Sequence, residues 1–594
     1  MLQKIKIYFL NWLTRNVKAD YLMLIISICI GLFAGLAAVI LKTSIHFIQD
    51  FLTRDFRISL PNFLYFLYPM VGMFLTILFI KYLNRNKLGH GLTNVIYSIR
   101  KKAGFIERDK TYSHMATSAL TVGFGGSVGL EAPIVTTGSA IASVFGRFFR
   151  FDYKKRILLI GCGAAAATSA IFNAPVTGVV FTLEILLLTL SIPSFIPLLL
   201  ASVTGTLVSS LLMGEAGTFE FNLVAPFRLE QIPFFVLLGL IAGLFSIYFT
   251  RVTLSLESWF SKFGINRFKK ALIGGLGLGA LIFLFPPLYG EGYFAIRYIL
   301  QGNVEELLSN SLFYNWVDSY WIVLVFMFFV MLFKVLAAAF TTGGGGNGGI
   351  FAPSIFTGAF LGYLFASVVN MTGVFEELPK ENFALVGMTA VISGVMHAPL
   401  TGIFLIAEIT SSYELIAPLM IVSGISYATV IVYQKDSIYA IQLARKGHQL
   451  KQDKDEEVLT LLKISSVIER DLKIIKQDAT LRNIVEIVAA HKRNIFPIVD
   501  NDGKLLGIIT LDDIREIMFK EKLYDVTYAH ELLKPVRKVV ELKDDMTEVM
   551  KKFDESEAWN LPVVDDSGVY IGMLSKSRIF STYRQLLIDN SKDA

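Results

Sequence analysis

One carboxylate is placed where a charge is costly: Glu131, in Gly125-Gly126-Ser127-Val128-Gly129-Leu130-Glu131-Ala132-Pro133, closes a glycine-rich turn inside an apolar stretch. The turn is used twice. Gly345-Gly346-Asn347-Gly348-Gly349-Ile350-Phe351-Ala352-Pro353 repeats it 220 residues later, with Phe351 in the position of Glu131. A second pair follows in the same order: Phe172-Asn173-Ala174-Pro175-Val176-Thr177-Gly178 and Met396-His397-Ala398-Pro399-Leu400-Thr401-Gly402, running on to Glu184 and Glu408. Proline fits the first turn of a helix, where its missing N–H has no partner anyway, so these four sites read as helix starts. Glycine ahead of them permits positive φ and close approach, leaving N–H groups at the positive end of the helix dipole to face a ligand. In hydrocarbon such groups persist only against protein or a wet cavity. Broken helices whose four tips converge make an electropositive hollow, and the chemistry expected of it is anion binding.

The elements that must carry these tips are membrane helices. With 594 residues, 54% of them hydrophobic and 18% charged, the chain is too apolar for a soluble enzyme of its size. Apolar runs at 21–41, 63–80, 195–213, 234–250 and 321–340 are about long enough to span, whereas 133–145 and 351–368 are short or interrupted by glycine. The expected fold is an α-helical polytopic membrane protein of tilted, broken helices, one unit used twice, followed by a soluble α/β part. The first run is too long for a signal-peptide core and reads as a retained anchor. Lys4, Lys6, Arg15 and Lys18 precede it, so the N-terminus is expected in the cytoplasm. Cys29 and Cys162 lie in apolar segments and imply no disulfide; the seven histidines have no metal-ligand spacing, and the net charge of +6 carries no nucleic-acid signature.

Near residue 445 the character changes. The membrane part is assigned to 1–444, with repeat halves 20–215 and 230–444, and a polar linker rich in Lys, Asp and Glu to 445–462. Beyond it a second repeat runs at an offset of 65: Pro497-Ile498-Val499-Asp500 with Gly503, Gly507 and Thr510 matches Pro562-Val563-Val564-Asp565 with Gly568, Gly572 and Ser575. Each copy reads as helix, strand, Asp/Gly turn, strand, helix. The copies, at 463–521 and 528–590, resemble a tandem pair of cystathionine β-synthase-type (CBS) domains. That resemblance implies a cleft for an adenine nucleotide such as ATP or AMP, contacted by Thr510 and Asp513 in the first copy and by Ser575 in the second. Arg578 stands where the second Asp belongs, leaving one complete half-site, although a guanidinium is itself a planar phosphate donor. Two purely structural modules are the alternative.

The membrane motifs resemble those of the CLC family of chloride channels and proton-coupled chloride antiporters. The family's Gly-Arg-Glu-Gly-Pro stands here as Gly129-Leu130-Glu131-Ala132-Pro133, and its Gly-x-Phe-x-Pro as Gly349-Ile350-Phe351-Ala352-Pro353. Its Gly-Ser-Gly-Ile-Pro is matched loosely by Gly89-His90-Gly91-Leu92-Thr93, and a late tyrosine by Tyr439. The resemblance implies an inverted repeat and a homodimer with one chloride pore per subunit. It also implies chloride held by the Ile350 and Phe351 amides and the Tyr439 hydroxyl, with Gly129, Gly349 and His90 lining the site. Glu131 becomes the gate, its carboxylate competing with the anion; mere complementation of a helix dipole is the alternative. Tyr439 is also readable as an interfacial residue, and His90 as pointing away from the pore.

Ile185 departs from the proton-coupled members, which carry a second acidic residue after the position of Glu184, so the expected activity is channel-like, with antiport as the alternative. Glu184 and Glu408 are expected to be buried hydrogen-bonding residues. A CBS-regulated cation transporter is a remote third reading, since no intramembrane carboxylate cluster is found. No enzyme and no required cofactor are expected, because the glycine run 343–349 lacks the Lys-Ser/Thr ending of a nucleotide loop.

Overall fold

The computed structural model describes residues 19–54, 63–83, 91–186, 194–214, 226–262, 266–316, 318–411, 413–445, 462 and 464–592, with side chains from 21 to 584. The chain divides into two compact units, 1–450 and 451–594.

The first unit is helical throughout its described residues. Its first half holds α1 (Ala19–Thr53), α2 (Leu64–Tyr82), α3 (Gly91–Lys101), α4 (Ser113–Gly123), α5 (Glu131–Phe148), α6 (Tyr153–Phe172), α7 (Pro175–Phe181) and α8 (Phe195–Met213). Its second half holds α9 (Ile232–Lys262), α10 (Arg267–Leu284), α11 (Tyr293–Leu300), α12 (Tyr320–Gly343), α13 (Phe351–Met371), α14 (Lys380–Met396), α15 (Pro399–Ile409), α16 (Ile416–Tyr433) and α17 (Ile438–Arg445). Among the described residues eight helices are long and apolar enough to cross a membrane. The chain is an integral, multi-pass membrane protein.

The halves pair in opposite sense about a pseudo-dyad. Gly129 and Gly349 form an antiparallel bridge, each amide donating to the other's carbonyl at 2.8 Å. Around it the Ser127 amide donates to Thr341 Oγ1 (3.1 Å) and the Asn347 amide to Thr121 Oγ1 (3.0 Å), so each glycine turn is pinned by the other half. α6 and α14 both end on a left-handed residue, Asn173 at φ 57° and His397 at φ 56°. The fold is thus an inverted repeat.

One expectation needs correction. The stretch 351–368 is neither short nor broken: α13 runs unbroken over 21 residues. Its glycines serve packing. A Cβ on Gly358 would overlap the Gly387 carbonyl of α14, as one on Gly138 would overlap the Gly163 carbonyl of α6. Backbones in contact replace the missing side chains, the usual device of packed membrane helices.

The second unit is two copies of one motif. The first joins β1 (Ile475–Lys476), β2 (Ile495–Val499) and β3 (Leu505–Thr510) in a sheet of order β1-β2-β3; the second joins β4 (Val540–Glu541), β5 (Asn560–Val564) and β6 (Tyr570–Ser575) in the same order. Both hairpins turn on Asp and Gly as read from the sequence: Asp500 Oδ1 accepts from the amides of Asp502 and Lys504, Asp565 Oδ1 from those of Ser567 and Val569. Gly503 and Gly568 supply positive φ, at 81° and 83°. The hairpin tips pair with each other, Leu505 donating to Gly568 and Tyr570 to Gly503.

Candidate functional site

The four proline-marked helix starts are not equivalent, and here the sequence reading is corrected. Glu408, on α15, caps the start of α7: its carboxylate accepts from the Val176 amide (2.8 Å), the Thr177 amide (2.7 Å) and the Thr177 hydroxyl (2.6 Å). Glu184 does the same for α15, accepting from Leu400 (3.1 Å), Thr401 (2.8 Å) and the Thr401 hydroxyl (2.7 Å). Each half thus supplies the anion for the other half's helix start. These two tips are already occupied by carboxylates and offer a free anion nothing; the structural role expected of Glu184 and Glu408 takes this specific form.

The starts of α5 and α13 differ. They begin side by side on the Gly129/Gly349 bridge, and their first-turn amides have no carbonyl within the helix to pair with. Ile350 and Phe351 are buried, and the Phe351 ring lies against Phe172 and Phe181 at centroid distances of 5.4 and 6.0 Å, closing the apolar side. The amides of Gly129 and Gly349 are consumed in the bridge. These glycines contribute close approach, not donors: a Cβ on Gly129 would overlap Glu131 Oε2.

Two further helix starts complete the hollow. Gly91, which opens α3, lies against Ala132 and Thr136 in the first turns of α5. Tyr439, at the start of α17, is buried within electrostatic reach of Glu131. Thr93 on α3 donates to Gln442 on α17 (3.2 Å), and Gln442 donates to Glu257 on α9 (3.1 Å), which ties the two short helices to the frame. Gly89 and His90 lie outside the described residues.

Glu131 spans this hollow at 2% exposure. Tyr293, at the start of α11, donates its hydroxyl to Oε1 at 2.7 Å, and Oε2 lies buried between the two glycine turns. The Glu131 carboxylate thus lies at two positively polarised helix starts, within reach of its own amide and that of Ala352. Tyr293 was not singled out from the sequence, nor were Glu291 and the fully buried Lys334 of α12. The signal was present: an ionisable residue inside a membrane segment is a functional candidate by default.

In the C-terminal unit the residues named for a nucleotide are engaged within the chain. Thr510 donates from its amide and hydroxyl to Asp513 Oδ2 (2.8 and 2.7 Å), and Lys534 pairs with the same carboxylate. Burial pushes the Asp513 carboxyl up, but the bonds from Lys534 and Thr510 together hold it below the ordinary carboxylate range. Ser575 donates to Glu469 (2.8 Å) and accepts from the Arg578 amide (3.1 Å). Arg578 lines an open cleft of about 460 Å³ with Glu469, Asp471 and Arg493, the last bridging both acids.

Comparison with known proteins gives this geometry its setting. A voltage-gated chloride channel family model matches residues 71–430, and the CBS domain model matches 464–520 and 531–584. The chain is 26% identical over 491 residues to chloride channel protein CLC-f of Arabidopsis thaliana, a match that covers 72% of this chain and 61% of that protein. It is 27% identical over 419 residues to the H(+)/Cl(-) exchange transporter ClcA of Vibrio vulnificus, covering 68% of this chain and 85% of that one. The crystal structure of a slow cyanobacterial Cl-/H+ antiporter superposes with a TM-score of 0.62 at 20% identity, over 73% of this chain and 99% of that one. With the family model spanning more than half its length, the chain belongs to the voltage-gated chloride channel family and carries a tandem CBS pair behind its membrane part.

Proposed function

We propose that the protein moves chloride across the membrane through a pore at the starts of α3, α5, α13 and α17, with Glu131 as the gate. The ionised carboxylate occupies an anion position; a proton or an incoming anion displaces it. The observation that carries this reading is the position of Glu131, bonded by Tyr293 beside the paired starts of α5 and α13, set against Glu184 and Glu408, each tied by three hydrogen bonds to the other half's helix start. The Ile350 and Phe351 amides and the Tyr439 hydroxyl are the donors, with Gly129 and Gly349 giving access and His90 as a further lining residue. The working assembly is a homodimer with a pore in each subunit, its termini and CBS pair in the cytoplasm. An adenine nucleotide bound by the C-terminal unit is its regulator, met by Thr510, Asp513 and Ser575 and by the Arg578 guanidinium.

Transport is channel-like. Ile185, which follows Glu184 in the π-helical turn Thr182–Leu186 after α7, has no titratable group to hand a proton in. The specific observation that favours proton-coupled exchange instead is the second carboxylate near the gate, Glu291. Reversal potential under a pH gradient separates the two in liposomes. A channel stays at the chloride equilibrium potential; an antiporter shifts with the proton gradient.

A further inference from the structure

The loop joining the 3-10 turn Pro286–Leu288 to α11 reads Tyr289-Gly290-Glu291-Gly292 and runs into Tyr293, the residue that bonds Glu131. The Gly290 carbonyl accepts from the Lys334 ammonium at 3.0 Å. Tyr293 holds Glu131 at 2.7 Å. Between them Glu291 lies within electrostatic reach of Glu131, Lys334 and Lys42, close to the Leu130 amide. Gly290 and Gly292 adopt positive φ, 63° and 89°, and a Cβ on Gly292 would strike the Phe356 ring on which Lys334 also rests, at 4.7 Å. The loop is therefore folded tightly around one ammonium and two carboxyls.

The charges facing Glu291 come from every neighbouring element: Glu131 from α5, Lys42 from α1, Lys334 from α12 and Tyr293 from α11. One step outward, Lys42 and Asp50 of α1 and Arg297 of α11 lie around His46. Exposure falls along this line. His46 and Asp50 are exposed, Lys42 and Glu291 half-buried, and Glu131 and Lys334 closed off. Lys42, His46 and Asp50 recur at helical spacing on one face of α1, so a polar stripe leads from the surface to the hollow. Two carboxylates sharing such a hollow cannot both stay ionised beside a single fully buried ammonium, since like charges at short range repel and burial withholds solvent.

We propose that Glu291 is the positioning residue that decides when Glu131 takes up its proton: the two carboxyls share the hollow beside Lys334, which neutralises one of them, and hold one proton between them. As Glu131 leaves the anion site, the O–H bond of Glu291 breaks and that of Glu131 forms, so the charge in the hollow is unchanged. Glu291 is then recharged from water along the α1 stripe. The inference rests on the reading of Glu131 as gate and adds a source for the proton.

The test is chloride efflux from liposomes holding the full-length protein, measured as a function of pH kept equal on both sides. E291Q removes a negative neighbour and lets Glu131 stay ionised to lower pH; K334M removes a positive charge from beside the shared pair and raises the pH at which the pair takes up its proton. The midpoint is expected to move by about one unit toward acid in E291Q and by about one unit toward alkali in K334M, while E291D stays near wild type. Opposite signs distinguish charge from packing, because a merely structural role moves both variants together or neither. Unshifted midpoints, or shifts in one direction, overturn the proposal, and if E291Q fails to fold the sign in K334M decides. If E131Q is flat with pH while E291Q and K334M titrate like wild type, this inference fails alone. A wild-type pH profile in E131Q removes the gate reading beneath it.

Discussion

Two pairs of helix starts, built from nearly the same words of sequence and related by the same pseudo-dyad, meet opposite fates. At α7 and α15 each tip is sealed by a glutamate from the other half, through three hydrogen bonds per carboxylate. At α5 and α13 the tips lie together on a glycine bridge, and the one carboxylate present belongs to the same half as its helix and takes the Tyr293 hydroxyl. A helix N-terminus inside a membrane protein must be matched by something negative. Where the match comes from the partner half and is symmetric, it locks the repeat. Where one half offers Glu131 and the other only Phe351, the match is one-sided.

The contrast is broken most forcefully at Glu131. A gate opened by one proton loses about tenfold in open fraction for each pH unit above its midpoint. E131Q, which keeps the shape but not the charge, is expected to flatten that dependence in efflux assays while the folded protein melts close to wild type. The reverse is expected at the sealed pair. E408A strips three bonds from a half-buried helix start and is expected to destabilise the membrane unit by about 3 kcal/mol, read as a lower detergent melting temperature, with the pH profile of the surviving protein unchanged. Were E408A to alter the pH profile without loss of stability, the division between sealing and gating glutamates would be lost. The smallest change tests the tyrosine bond: Y293F removes about 1 kcal/mol, raising efflux at alkaline pH about fivefold because Glu131 leaves more readily.

Much of this division was written in the chain, though not in equal measure. The repeat, the helix starts and the tandem C-terminal motif follow from proline, glycine and aspartate at fixed spacing, because their backbone demands are local. The glutamates at 184 and 408 were visible as hydrogen-bonding residues, though they are half-buried rather than buried; that each serves the opposite half was not visible, since the pairing spans more than 200 residues, as from Glu408 to Val176. For the same reason four equal tips were expected where the structure holds two sealed and two open. The glycines of 351–368 read as breaks and are contacts with α14, because sequence shows a missing side chain and not the backbone that fills its place. Glu291 and Lys334 belong to no motif, and only the fold reveals that they face Glu131.

The central claim is that a free anion and Glu131 compete for the tips of α5 and α13. Bromide anomalous scattering from crystals of the wild type and of E131Q measures this directly. The account predicts a peak within hydrogen-bond distance of the Ile350 and Phe351 amides in both, and in E131Q alone a second peak where the wild-type carboxylate lies. Identical density in the two forms, or bromide at the starts of α7 and α15 instead, contradicts it.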